Sequence, residues 1–193
     1  MFQSLVLAST SRHRRTLLER FGIPFTSSGP HVDETPLPDE DPIALVHRLA
    51  RAKAQAVAER FPDSVIIGAD QVGVLGKTIV GKPGTLERCI EQLKASSGQR
   101  LVFHTGVHVL DSRSGKQESY VEPTNVVFRK LGDEEIRRYV DREKPLDCAG
   151  SAQAEALGIA LLERLESQDP TTIIGLPLIW LSGALRRFGY AVP

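Results

Sequence analysis

The chain has 193 residues, and its 24 basic and 24 acidic side chains give a formal net charge of zero. This balance argues against a nucleic acid polymer as the main partner, although a local basic cluster could still hold a small phosphate ligand. An apolar fraction of 41% and a charged fraction of 25% are ordinary globular values. The length suits one fairly large domain or two small lobes with a real core.

Cysteine usage and the N-terminal residues indicate the cellular compartment. Cys89 and Cys148 lie far apart and form neither a disulfide framework nor a metal-ligand cluster. The first residues lack a basic region, and their apolar run is too short for a signal peptide. No stretch approaches the roughly 20 apolar residues of a membrane span. We therefore expect a cytoplasmic protein without a membrane partner.

The first predicted elements are a strand, a turn and a helix. Residues 5–8 are apolar and predict a buried strand, and Ser11 is suited to be the N-cap of the helix that follows. Three arginines and a histidine occupy residues 12–15, where cations oppose the helix dipole. A helix N-terminus binds anions through its N–H groups. The pattern favours a phosphate site over the alternative, a solvated basic face.

The second predicted helix contains an unexpected lysine. It starts with Asp41 as N-cap and Pro42 at its first position, and it runs to about residue 60. Its apolar stripe consists of Ile43, Val46, Ala50 and Val57. Lys53 falls inside this stripe. Its ammonium group either reaches solvent along its apolar stem or points at a buried anion, and the pattern favours the anion.

An apolar run at residues 65–69 predicts a strand buried on both faces, and it leads directly into Asp70. Ligands of open α/β sheets bind beyond the carboxyl ends of such strands. Asp70 is therefore either a chemical group of a site or a turn residue that ends the strand. Gly68 leaves room for another group to approach the backbone closely.

The remaining segments predict further strands and helices. Gly76-Lys77-Thr78 lacks the earlier glycine of a phosphate-binding loop, because Gln71 stands there, so a hairpin turn is predicted. The run at 157–165 fits a helix or a strand equally well. The other predicted elements are helices at 85–96, 133–141 and 177–188 and strands at 79–80, 99–110 and 118–128.

Six segments in order resemble the Maf family of nucleoside triphosphate pyrophosphatases. They are residues 7–15, 32–36, 67–71, 81–83, 145–150 and 175–178. The resemblance implies an α/β fold over residues 1–193, with a curved mixed β-sheet, flanking helices and two lobes around a nucleotide cleft, as in ITPase-like proteins. It also implies a cytosolic, metal-dependent enzyme that splits a nucleotide into its monophosphate and pyrophosphate, often as a homodimer.

The resemblance assigns roles to six residues: Ser9, Arg14, Glu34, Lys53, Asp70 and Lys82. Ser9 and Arg14 match the phosphate-binding turn. Glu34 and Asp70 match an acidic pair that can hold Mg²⁺ or Mn²⁺, and Asp70 matches the general base. The two lysines suit the charge that develops on the phosphates. These residue types are those that triphosphate hydrolysis needs.

Three further positions indicate the nucleotide. Family members that act on dTTP and UTP typically carry Arg, Thr and Gln where this chain has His13, Gln71 and Glu155. Gln71 and Glu155 are similar to the branch that prefers 7-methyl-GTP, although some of that branch place Pro-Trp where this chain has Arg12-His13. We expect a 7-methyl-GTP pyrophosphatase. The alternatives are a dTTP/UTP or mixed-nucleotide enzyme and a nucleotide-binding division regulator without catalysis.

Overall fold

Strands and helices alternate along most of the chain in a computed structural model that describes residues 3–192. The strands are β1 (Ser4–Ala8), β2 (Phe25–Ser27), β3 (Ser64–Leu75), β4 (Thr78–Val80), β5 (Arg100–Asp111), β6 (Gln117–Phe128) and β7 (Leu162–Glu166). The α-helices are α1 (Arg12–Glu19), α2 (Pro42–Ala58), α3 (Leu86–Ser96), α4 (Asp133–Glu143) and α5 (Leu178–Arg187). Short 3₁₀ turns lie at Ala149–Ser151, Leu157–Leu161 and Thr172–Ile174.

The strands form one mixed sheet in the order β2-β1-β3-β5-β6-β7, with β4 paired to β3. Strand β1 runs parallel to both β2 and β3, and its last pair joins Ala8 to Gly68. Strands β4 and β7 pair antiparallel to their neighbours. The mixed sheet and flanking helices confirm the predicted fold class.

The chain divides into two compact units. The first comprises the described residues up to Asp70 together with 105–122 and those from Asp169 onward, and the second comprises 71–104 and 123–168. The predicted single domain over residues 1–193 is not tested by this division and stays a prediction. In the first unit, one large apolar cluster packs residues of β1, β3 and β5 against α1 and α5.

Two glycines allow α2 to lie very close to the sheet of the first unit. A Cβ at Gly68 would lie 2.1 Å from the backbone oxygen of Ala50, and a Cβ at Gly106 would lie 2.6 Å from that of Val46. Real Cβ atoms do not approach so closely, so glycine is required at both positions. Sequence reasoning predicted a close approach at Gly68, and the group that approaches is the helix that contains Lys53.

Helix starts agree with the predictions. The side chain of Ser11 accepts a hydrogen bond from Arg14 N–H, and that of Asp41 accepts bonds from the backbone of Ile43 and Ala44. Both residues are therefore N-caps, as predicted. Helix α2 ends at Ala58 rather than near residue 60. Among residues 3–192, none of the helices combines the length and the apolar character of a membrane span.

Three local expectations need correction. Ile43, placed in the apolar stripe of α2, is 48% exposed, because it lies in the first turn of the helix, next to the N-cap Asp41. Residues 157–165 are neither one helix nor one strand, since a 3₁₀ turn leads into β7. The alternative interpretation of Asp70 as a turn residue that ends the strand is wrong, because β3 continues to Leu75. Asp70 does lie two residues beyond the last parallel pair with β1.

Candidate active site

A buried lysine joins two carboxylates in the first unit. Lys53 Nζ lies 2.7 Å from Asp70 Oδ1 and 2.7 Å from Glu34 Oε1. The side chains of Lys53 and Asp70 are only 6% and 11% exposed, whereas that of Glu34 is 55% exposed. Lys53 therefore points at anions, as predicted, and its charge compensates a carboxylate that water barely reaches.

The loop that contains Glu34 is tied to α2 by Arg48. The Arg48 guanidinium donates to Glu40 over 2.6 and 2.7 Å and to the carbonyl of Thr35 over 3.2 Å. The hydrogen bonds from Arg48 to the Glu40 carboxylate are the main cause that lowers the pKa of Glu40 to about 2. Because Arg48 and Lys53 lie on the same helix, α2 holds both the loop and the cation that Glu34 contacts.

Arg14 lies close enough to this cluster to feel its charge. Burial lowers the pKa of Arg14, and the negative charges of Asp70 and Glu34 oppose that shift. An arginine remains protonated in proteins nonetheless. The side chain is fixed by a hydrogen bond of 3.1 Å from Nε to the carbonyl of Gly175. An arginine in the first turn of α1 is thus explained by the two carboxylates nearby.

Ser9 and His13 lie on either side of the start of α1. Ser9 is buried directly after β1, and its Oγ accepts a hydrogen bond of 3.1 Å from the backbone of Ser11. His13 is half-buried in the first turn of α1. Ser9 and Asp70 both follow the last paired residues of adjacent parallel strands, where ligands of α/β sheets bind.

The other predicted residues belong to the second unit. Gln71 follows Asp70 in β3 and is half-buried, whereas Lys82 and Glu155 are exposed. Burial raises the pKa of the Cys148 thiol, Glu155 raises it further, and Lys82 lowers it. Lys82 and Glu155 therefore both lie within electrostatic reach of one side chain.

Backbone hydrogen bonds join two of the motif segments of the second unit. The N–H of Gly84 donates to Leu146 O over 3.0 Å, and the N–H of Gly150 donates to Gly81 O over 3.4 Å. Gly150 has a φ of +67°, and a Cβ there would lie 2.8 Å from the side chain of Leu101. The segment with Lys82 is thus held against residues 145–150.

Glu34 and Asp70 are the carboxylates of the first unit whose chemistry suits a hard divalent cation. The two carboxylate oxygens of Glu34 and Asp70 lie equally far from Lys53 Nζ, so they are at most twice that distance apart. Within residues 3–192 no group of three or more His, Cys, Asp or Glu side chains could hold a metal ion. Mg²⁺ is commonly bound by one or two carboxylates together with substrate phosphates. Two carboxylates therefore suffice for a metal that arrives with a phosphorylated ligand.

Sequence reasoning missed two contributors to this arrangement. Arg48 was not singled out, since its partners lie in a loop without regular structure. The sequence marks Gly175 only as part of a motif, and the contact of its carbonyl with Arg14 spans 161 positions of sequence. The signal that could have found Gly175 is its place in the motif at 175–178, because glycine there permits a φ of +126°.

Comparisons with known proteins agree with this fold. The *Staphylococcus aureus* Ham1 protein has a similar structure, with a TM-score of 0.57 and 15% identity over 96% of this chain and 99% of that one. It shows that the fold is that of a Ham1-like α/β protein. Residues 4–188 match the family described as Maf-like protein. The chain belongs to the Maf-like family.

Curated relatives cover nearly the whole chain. A protein of *Aromatoleum aromaticum* named 7-methyl-GTP pyrophosphatase is 54% identical over 100% of this chain and 99% of its own length. Proteins of the same name from *Nitrosococcus oceani* and *Thiobacillus denitrificans* are 48% and 51% identical. Each of these two covers 98% of this chain, and the matches span 95% and 94% of their own lengths.

Proposed function

We propose that this protein hydrolyses 7-methyl-GTP to 7-methyl-GMP and pyrophosphate. Water attacks the α-phosphorus, the bond to the bridging oxygen breaks, and pyrophosphate leaves. The proposal is supported by the relatives named 7-methyl-GTP pyrophosphatase, which are about 50% identical to this chain over nearly their full length. The observation that carries the chemistry is the buried contact of Lys53 with Asp70 and Glu34.

Asp70 is the proposed general base. It is buried, lies just beyond the parallel strand pair, and is oriented by Lys53 Nζ at 2.7 Å. A carboxylate held in this way can orient a water molecule and accept its proton. Lys53 supplies positive charge for the phosphate oxygens, and the family resemblance assigns the same role to Lys82. Arg14 and Ser9 bind phosphate at the start of α1.

The proposed cofactor is Mg²⁺ or Mn²⁺, held by Glu34 and Asp70. The metal neutralises phosphate charge when it is bound. Glu34 suits this role because its side chain is 55% exposed and can move away from Lys53 at little cost. Asp70 is more confined, since its side chain is 11% exposed.

Glu155, Gln71 and His13 are the proposed residues for the base. Guanine presents an N1–H and an exocyclic amine, and a carboxylate at Glu155 can accept from both through charge-assisted hydrogen bonds. Methylation at N7 makes the base cationic, which adds attraction to the carboxylate. Thymine and uracil place carbonyl oxygens beside their N–H, so Glu155 repels them. Gln71 can serve the remaining edge, and His13 can stack on the ring.

Purified protein should be assayed with 7-methyl-GTP, GTP, dTTP and UTP in Mg²⁺ or Mn²⁺, with identification of both products. We expect 7-methyl-GTP to have the highest kcat/KM, followed by GTP. A higher kcat/KM with dTTP or UTP contradicts the base assignment, and orthophosphate release contradicts attack at the α-phosphorus. Binding without turnover of any nucleotide would favour a regulator instead.

Glu155→Gln tests the base assignment directly. The amide has one acceptor oxygen, and its amine faces the donors of guanine, so the preference for 7-methyl-GTP over dTTP should narrow by about 1–3 kcal/mol. Glu163→Gln is the matched control, because Glu163 is also exposed in the second unit. If both variants lost the preference for 7-methyl-GTP over dTTP to the same extent, the assignment of Glu155 to base recognition would be wrong.

The homodimer and the cytoplasmic location stay predictions. Analytical ultracentrifugation of the purified protein tests the first, and fractionation of cells tests the second. A sedimentation coefficient of a monomer at assay concentration would contradict the dimer.

A further inference from the structure

Residues 169–179 of the first unit form a loop that is closed by side-chain hydrogen bonds. Asp169, which is buried, accepts a hydrogen bond of 2.8 Å from Thr171 N–H and one of 2.6 Å from the backbone of Ile179. The hydroxyl of Thr171 lies 2.6 Å from Asp169 Oδ1 and 2.8 Å from the carbonyl of Leu176, and it accepts from Leu178 N–H over 3.0 Å. Two polar side chains thus fix both ends of the segment.

This closed loop presents one backbone group to Arg14. Gly175 lies inside the loop, and its carbonyl accepts the Nε–H of Arg14 over 3.1 Å. Its φ of +126° suits glycine, and a Cβ there would lie 3.2 Å from Arg14 Nε. The contact with Gly175 uses the Nε–H, which is one of the five N–H donors of the guanidinium.

The loop also belongs to the start of α5. Pro177, the N-cap residue, makes no side-chain cap hydrogen bond, and Asp169 accepts from the second residue of the helix instead. A carboxylate at a helix N-terminus is favourable on its own. The Thr171 hydroxyl, however, also contacts the carbonyl of Leu176, the residue that follows Gly175. A helix cap does not require this contact. The Thr171 hydroxyl shares its single proton between Asp169 Oδ1 and the Leu176 carbonyl, and it thereby holds the peptide unit next to the Gly175 carbonyl.

We propose that Asp169 and Thr171 are positioning residues for Arg14. They hold the Gly175 carbonyl in the place that orients the guanidinium toward the phosphates of the substrate. This inference rests on the proposed function, since Arg14 is assigned there to phosphate binding.

Thr171→Val removes the hydroxyl and keeps the shape, and Thr171→Ser restores the hydroxyl. Loss of a hydrogen bond that orients a charged group should raise KM for 7-methyl-GTP about 10-fold, with a smaller change in kcat. Asp169→Asn should act in the same direction, and Thr171→Ser should recover most of the loss. The inhibition constant of inorganic tripolyphosphate should rise in parallel with KM.

Ser112→Ala is the matched control for stability. The Ser112 hydroxyl also bonds backbone groups of the first unit, at Phe61 and Ser64, where β3 begins rather than near Asp70. We expect it to lower Tm as Thr171→Val does, with KM unchanged. Equal changes of KM in the two variants would overturn the proposal.

A double-mutant cycle with Arg14→Lys tests whether Thr171 acts through Arg14. A lysine lacks the Nε–H that Gly175 accepts, so Thr171→Val should have almost no further effect on KM in that background. Equal effects of Thr171→Val in both backgrounds would overturn the proposal. If the wild type turns over no nucleotide, the proposed function fails, and the double-mutant cycle is then measured through the Kd of tripolyphosphate. A wild type that binds no tripolyphosphate contradicts both the proposed function and the positioning role of Asp169 and Thr171.

Discussion

The charge of Lys53 can be removed without changing the bulk of its side chain. Lys53→Met keeps the apolar stem in the stripe of α2 and removes the cation that is hydrogen-bonded to Asp70, so that only the more distant charge of Arg14 still acts on this carboxylate. The Lys53 and Asp70 side chains are nearly inaccessible to water, so solvent compensates this charge poorly. We expect the variant to lose both stability and activity.

The expected loss of stability follows from burial. Breaking a buried ion pair by removing one partner typically lowers the free energy of unfolding by about 3–5 kcal/mol. We expect a loss near the lower end of this range, because Glu34, the second partner of Lys53, is exposed and remains solvated. Lys94→Met is the matched control, because Lys94 Nζ lies 2.8 Å from Asp133 Oδ2 but the two side chains are 43% and 67% exposed. That pair should contribute at most about 1 kcal/mol. Urea unfolding followed by circular dichroism measures both.

A second substitution separates folding from chemistry. In Lys53→Met/Asp70→Asn the uncompensated charge is gone, so part of the stability should return, although the amide is left with unpaired polar atoms. Turnover should not return, because base and cation are both absent. An unchanged urea midpoint and an intact kcat in Lys53→Met would refute the reasoning and make Lys53 a packing residue. An equal loss of stability in Lys94→Met would refute the role of burial.

Three further predictions test the base, the helix contact and the acid response. Asp70→Asn should lower kcat by about 10²–10⁴-fold while nucleotide binding measured by calorimetry survives, and near-wild-type turnover at saturating metal would contradict the assignment. Gly68→Ala should lower the urea midpoint strongly, because its Cβ would lie 2.1 Å from Ala50 O, whereas Gly81→Ala, with nothing within 4 Å of the added Cβ, should not. Burial and the charges of Arg51 and His47 lower the pKa of His108 from 6.5 to about 4. The unfolded chain therefore binds more protons between these values, so stability should fall as pH drops from 6.5 toward 4. His108→Gln should lose this pH dependence of stability, whereas His31→Gln, at an exposed position, should keep it. Identical urea midpoints of the wild type at pH 7 and pH 5 would contradict the prediction.

Local signals made the framework of the site predictable. Ser11, Asp41 and Pro42 define helix starts through hydrogen bonds within three residues, so the sequence alone identifies them. The inward position of Lys53 follows from helical periodicity in the same way. A buried anion was expected in general terms, and the structure identifies it as Asp70, with the more exposed Glu34 as a second partner of Lys53.

Contacts set by the tertiary arrangement could not be predicted. The carbonyl of Gly175 reaches Arg14 from the far end of the chain, and a backbone acceptor leaves no trace in residue type. Arg48 anchors the Glu34 loop through Glu40 and Thr35, in a segment without periodicity. The structure shows contacts among Arg14, Glu34, Lys53 and Asp70, but the functional roles of all the candidate residues rest on resemblance and stay predictions, those of Ser9, His13, Gln71, Lys82 and Glu155 included.

The stability of the fold alone does not explain the position of Lys53. A buried ion pair can often be replaced by apolar residues of similar volume without loss, because desolvation of both charges offsets their attraction. Glycines at 68 and 106 add to this cost, since glycine weakens a strand. They nevertheless allow α2 to approach the sheet so closely that Lys53 meets Asp70. Local rules are broken mainly at functional sites, so two strand glycines and a buried lysine at one contact are best explained by the chemistry of that contact.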